Sequence, residues 1–190
     1  APANIVAVLC NLGPRAATMA DTRGRLPIHW ACRRSADDPE TEKVLRILAT
    51  CNPESLVSRD DGGRTPLHWL FWFHAPSRSP SIVRCFCQRI HANKWRTLKR
   101  AKTTSDGYPL PEIPTPSEKN QIPQSPVILT DFRHGALALH YAVMQGASKE
   151  AIVTLIQMYP SSLAAGDRQG RTALAWYLGA GYLIDDNKHI

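Results

Sequence analysis

Apolar residues fall into three stripes of helical period along this chain. Ile5, Val6, Leu9 and Leu12 form the first, Val44, Leu45, Leu48 and Cys51 the second, and Ile152, Val153, Ile156 and Tyr159 the third. Residues spaced i, i+1, i+4 and i+7 share one helix face, so each stripe predicts an amphipathic helix. Each stripe ends at a proline-containing stop: Gly13-Pro14, Asn52-Pro53 and Pro160. Pro14, Pro53 and Pro160 then lie seven residues before an aspartate (Asp21, Asp60, Asp167) and ten before a glycine (Gly24, Gly63, Gly170). Two spacings kept three times point to an internal repeat.

The glycines open related heptapeptides. Gly63-Arg64-Thr65-Pro66-Leu67-His68-Trp69 is the best formed, and Gly24-Arg25-Leu26-Pro27-Ile28-His29-Trp30 is its near twin. Gly135-Ala136-Leu137-Ala138-Leu139-His140-Tyr141 and Gly170-Arg171-Thr172-Ala173-Leu174-Ala175-Trp176 are weaker copies. The best copy reads as a helix start: Gly63 suits a turn needing positive φ, Thr65 caps the following N–H groups, and Pro66 fits the first helical position. One unit is then a turn, a first helix, a loop, a second helix and a proline-containing link. The glycines stand 39, 72 and 35 residues apart. The long interval holds a first helix through Trp69-Leu70-Phe71-Trp72 and a second through Ile82, Val83, Phe86 and Ile90. Beyond these the periodicity stops. Six of the fifteen prolines lie in 103–130, so about 96–130 reads as a Pro-rich insertion between units.

Thr65-Pro66-Leu67-His68 resembles the signature of the ankyrin repeat family, and the other three heptapeptides keep parts of it. The resemblance implies an all-α, ankyrin-like helical solenoid of about four helix-pair repeats with β-hairpin-like fingers and one long Pro-rich insertion. The units fall at about 1–20 (partial), 21–59, 60–95, 131–166 and 167–184 (partial), in a single domain over 1–190. It also implies protein binding without catalysis, and gives Thr65, Pro66, His29, His68 and His140 the role of structural turn residues, the histidines holding backbone through their ring nitrogens. Trp30, Trp69, Tyr141 and Trp176 depart from the family, which places Leu after the histidine. They are expected to pack between repeats, with a ligand-binding ladder as the alternative. The third finger, Asp131 to Gly135, is one residue longer than the others.

Composition narrows the function classes. At 43% hydrophobic residues the chain can bury a core, while no apolar run approaches the ~18–20 residues of a membrane span. Five cysteines without a C-x-x-C pair argue against a disulfide framework and for an intracellular setting, cytoplasmic or nuclear. No signal-peptide pattern opens the chain, which reads as a piece of a longer protein. The net charge of +7 is local, because Arg89, Lys94, Arg96, Lys99, Arg100 and Lys102 account for all but +1 of it. With Trp95 they form an arm that could contact phosphate and stack on a base.

The candidate sites are surface features. Arg23, Arg25, Arg33, Arg34, Arg64, Arg133, Arg168 and Arg171 cluster at finger and concave positions, where they either select an acidic or phosphorylated protein partner or form an ordinary solvated surface. Trp72 and Phe73 either present an aromatic hot spot on the concave face or pack beneath the insertion. Cys85, Cys87 and His91 offer a zinc-like spacing, yet Cys85 points away from the other two on a helix and no second ligand pair follows, so buried thiols are the better account. No phosphate-binding glycine loop or hydrolase motif is present. The expected function is a non-enzymatic protein-interaction module without cofactor or metal. The alternatives are a scaffold subunit of a large complex and a nucleic-acid-associated protein using the arm at 89–102.

Overall fold

The structure is a computed structural model that describes residues 2–34, 38–74, 79–87 and 127–179. It is mostly helical: α1 (Ala3–Leu12), α2 (Pro27–Cys32), α3 (Pro39–Cys51), α4 (Pro66–His74), α5 (residues 80–87), α6 (Ala138–Met144), α7 (Lys149–Met158) and α8 (Ala173–Gly179). The three prolines that end the apolar stripes begin short 3-10 turns, Pro14–Thr18, Pro53–Val57 and Pro160–Leu163. Proline suits that first position because its fixed φ is already helical and its missing N–H would have no partner there.

The short helices α2, α4, α6 and α8 form one row, each packing on the next, while α1 packs on α3, α2 on α3 and α6 on α7. Residue 74 ends α4 and residue 138 begins α6, yet the two pack directly together. The middle of the row is the driest part. Leu67, Leu70 and Phe71 of α4 are fully buried, and Val83 and Phe86 of α5 join them. An all-round apolar sequence such as that of α4 is stable only where neighbours cover every side. At the ends the pattern changes. The first stripe does form a helix, but α1 buries Ala3 and Cys10 while Ile5, Leu9 and Leu12 stay exposed. Here α1 packs mainly on α3 and the Pro14–Thr18 turn, and a mostly apolar cavity of about 320 Å³ lies between it, α2 and α3. On α8, Leu174, Tyr177 and Leu178 are exposed in the same way.

The turns between units differ from the β-hairpin-like fingers expected. Among the described residues there is no strand, only the isolated bridges Thr130–Leu137 and Gly166–Thr172. The cause is competition from a side chain. In a hairpin, paired residues exchange two backbone hydrogen bonds. Here the Asp21 N–H donates to the Arg25 carbonyl at 3.0 Å, but the Arg25 N–H turns to the Asp21 carboxylate. Gly63 takes the positive φ the sequence calls for, at +75°, and a Cβ there would run into the ring and backbone of Phe132. Among the described residues, no helix is long and apolar enough to cross a membrane.

Candidate functional site

Each turn is built around one carboxylate. The Asp60 Oδ1 accepts the Arg64 backbone N–H at 2.8 Å, and Oδ2 accepts the Arg64 Nε at 3.0 Å and the Trp69 indole N–H at 2.9 Å. Asp21 does the same with Arg25 and Trp30, and Asp167 with Arg171 and Trp176. In each case the guanidinium also lies over the indole, at 4.3 Å for Arg25–Trp30, 5.3 Å for Arg64–Trp69 and 5.6 Å for Arg171–Trp176. The longer third turn keeps the plan with a tyrosine, whose hydroxyl donates to Asp131 at 2.7 Å. The extra residue moves the aromatic partner from nine to ten positions after the aspartate. Burial pushes the Asp167 carboxyl up, but donors from Arg171, Trp176 and Gln169 outweigh it and hold it well below the usual range.

These contacts explain why every copy carries an aromatic residue at the seventh position of the heptapeptide, after the histidine in three of them. A Leu could fill the space, but only an indole or phenol also satisfies the buried carboxylate. Trp69, Tyr141 and Trp176 are buried, whereas Trp30 is 41% exposed. In the sequence Asp21, Asp60 and Asp167 stand out only by their spacing from proline, not as candidate site residues. Their signal was present, since Asp and Trp recur at a separation of nine in three turns.

The histidines link each turn to the next. His29, His68 and His140 occupy the third position of their helices, where Nδ1 accepts the backbone N–H three residues earlier, from Leu26, Thr65 and Leu137. That leaves the proton on Nε2, which donates across to the carbonyls of Arg64, Ala136 and Arg171 at 3.3, 3.1 and 3.1 Å. Burial lowers all three pKa values, that of His68 to about 4, against the carbonyls that favour a charged ring. The Thr65 hydroxyl, expected from the sequence as a helix cap, lies 2.8 Å from His68 Nδ1 and braces the ring. The fourth copy lacks the histidine, and there Thr172 does accept the Ala175 N–H, at 3.4 Å. Successive turns are also joined through backbone: Asp61 N–H to Arg23 carbonyl, Phe132 to Gly62, and Arg168 to His134.

This stacking opens a cleft of about 390 Å³ beside the second and third turns, floored by the end of α4 and the start of α6. It brings together Arg23, Arg25, Arg64, Arg133, Trp72 and Phe73 with Trp69 and Tyr141 of the aromatic series, and adds Asp60, Asp61, Asp131 and His134. Trp72 and Phe73 are half-buried, with Trp72 against Tyr141 at 5.0 Å and Phe73 against Trp69 at 5.3 Å. Arg33 lies outside the cleft but stands over Phe73 at 5.3 Å. Arg34 pairs with Asp38, and Arg168 and Arg171 belong to the fourth turn and do not line the cleft. Arg25, Arg64 and Arg171 are held by their own aspartates. Cys85 and Cys87 are buried, and burial pushes the Cys87 thiol up to about 12. Among the described residues, no group of three or more His, Cys, Asp or Glu is placed to hold a metal ion. His91 and the basic arm Arg89, Lys94, Trp95, Arg96, Lys99, Arg100 and Lys102 lie outside the described residues, as does most of the 96–130 insertion.

No protein-family model matches the chain, and no curated protein matches it.

Proposed function

We propose that the chain is an ankyrin-like stack of about four helix-pair repeats that binds another protein through its concave face and turn tips, without catalysis. The observation that carries this reading is the cleft, where half-buried Trp72 and Phe73 meet a rim of arginines. Aromatic side chains beside Arg are the usual makings of a binding hot spot. The surrounding turns are braced from within, because Asp21, Asp60, Asp131 and Asp167 each accept hydrogen bonds inside their own turns, so the cleft is held open at little entropic cost on binding. The finger arginines divide by role in this reading. Arg25, Arg64 and Arg171 support the turns, and Arg23 is exposed and makes no ion pair among the described residues.

Arg23→Glu tests this directly. Affinity capture from the source organism, wild type beside variant, should lose a specific copurifying protein while circular dichroism and Tm stay unchanged. Unaltered capture by the variant would remove the cleft from the binding face.

A further inference from the structure

We infer that a second copy of this chain docks head to tail on the first, with α8 of one copy seated against α1 and α2 of the next. The inference goes beyond the interaction reading and rests only on how the units stack.

The backbone marks where a neighbouring turn belongs. Each inner joint carries one hydrogen bond between turns, from Asp61 to Arg23, Phe132 to Gly62 and Arg168 to His134. The donor is always the residue after the turn's aspartate, and the acceptor is the residue before its positive-φ glycine. In the first turn the donor's place belongs to Thr22, which is exposed and has no hydrogen-bond partner among the described residues. In the fourth turn the acceptor's place belongs to Gln169, whose carbonyl is equally unused. The glycines agree. A Cβ at Gly24, Gly63 or Gly135 would collide with Asp61, Phe132 or Arg168 of the following turn, but at Gly170 it would meet nothing within 4 Å. The fourth turn thus offers an acceptor and an open floor, and the first turn offers the matching donor.

The side chains repeat the match in the same register. Leu174, Tyr177 and Leu178 of α8 stand four, seven and eight residues after Gly170, as Leu67, Leu70 and Phe71 of α4 stand after Gly63. The α4 residues are fully buried, whereas those of α8 are 60–76% exposed. Ile5 and Leu9 of α1 hold the places before Pro14 that Val44 and Leu48 of α3 hold before Pro53. Val44 and Leu48 are buried, and Ile5 and Leu9 are exposed. By these places α8 is the first helix of a unit and α1 the second helix of one. Set together across two copies they complete a unit, and α8 enters the apolar cavity between α1, α2 and α3. Covering both faces removes apolar surface from water at once.

The aromatic series fixes the same joint. Trp69, Tyr141 and Trp176 are each met edge-on by the histidine of the preceding unit, His29, His68 and His140, at 5.9, 5.7 and 5.3 Å. Tyr141 also packs on Trp176 and Trp30 on Trp69. Trp30 has no preceding unit over it and is the exposed member. In the head-to-tail pair Trp176 of one copy takes that place. The joint lacks one tether, because α8 carries Ala175 where the other first helices carry histidine.

Sedimentation velocity of the full chain at rising concentration should show a series of species beyond the dimer, since a contact between unlike faces leaves one face free at each end. Leu9→Asp and Leu178→Asp alter exposed residues of α1 and α8, so each should be monomeric with unchanged circular dichroism. Mixed together they should form a heterodimer and nothing larger, because each supplies the face that the other has lost. Ala175→His restores the tether towards the Arg25 carbonyl of the next copy and should strengthen association about fivefold. A wild type that stays monomeric at every concentration overturns the inference. So does association that survives either aspartate variant, a mixture that stays monomeric, or an Ala175→His variant that associates no more tightly.

Discussion

The turns that open α4 and α8 are built to the same plan but differ at the histidine position. Asp60 and Asp167 hold Arg64 and Arg171 through Nε at 3.0 and 2.9 Å, and Trp69 and Trp176 at 2.9 and 2.8 Å. At the third helical position, however, α4 has His68 and α8 has Ala175. The α4 turn is therefore tied both to itself and to the next turn, through Ala136, while the α8 turn has only its carboxylate, Thr172 and its own backbone bonds to close it. The comparison separates two devices that the repeated heptapeptide presents as one. The carboxylate closes a turn, and the histidine couples it to its neighbour. The α8 turn keeps its carboxylate contacts without a histidine of its own, although His140 of the preceding unit still reaches its Arg171 carbonyl.

The largest test of that separation removes the carboxylate. Asp60→Ala leaves the Arg64 guanidinium and the Trp69 N–H without their partner in a buried site, and should cost about 3–5 kcal/mol in urea denaturation. Asp21→Ala should cost less, because its turn carries the exposed Trp30. Equal losses would show that burial does not set the strength of this contact.

His68→Ala comes next, at about 1–3 kcal/mol, since the Thr65 N–H and the Ala136 carbonyl lose a buried partner. An unchanged melting temperature would remove the coupling role. Acidification should act on the same tethers more gradually. The unfolded chain protonates its histidines near pH 6.5. The folded chain does so only at lower pH, about 4 for His68. The unfolded state thus binds more protons in this window, and stability falls as pH drops from 6.5 towards 4, by at most about 1.4 kcal/mol per unit for each histidine. His68→Ala should make that slope shallower, and an identical slope would assign the effect elsewhere. The smallest expected difference is between Thr65→Val and Thr172→Val. The first removes a 2.8 Å contact to a buried ring and should cost about 1 kcal/mol, and the second removes a 3.4 Å exposed one and should cost less.

Much of this was legible in the sequence because it is local. The helix over Ala3–Leu12, the proline-led links and the positive φ of Gly63 all follow from residues within a few positions of one another. The carboxylate contact was legible as well, in the nine-residue separation of Asp and Trp, but its meaning needed the geometry. Spacing alone cannot distinguish a tryptophan that fills space from one whose N–H is required. The cleft was harder to see. Its walls come from Arg23, Asp61, Trp72 and Arg133, which share no local pattern.

By itself, the sequence determined the repeating unit: where a helix starts, where proline stops it, and which polar side chains can close the turn between. Those choices depend on φ preference, hydrogen bonding and periodicity over fewer than a dozen residues. Tertiary structure decided which copies of the unit became buried. Trp69 and Trp30 occupy the same place in near-identical heptapeptides, yet one is 2% and the other 41% exposed. It also decided that Ile5, Leu9 and Leu12 of α1 stay exposed and that the indole N–H groups of Trp30, Trp69 and Trp176 meet the aspartates of their own turns. Burial is a property of neighbours, and neighbours in a stack are set by its order in space.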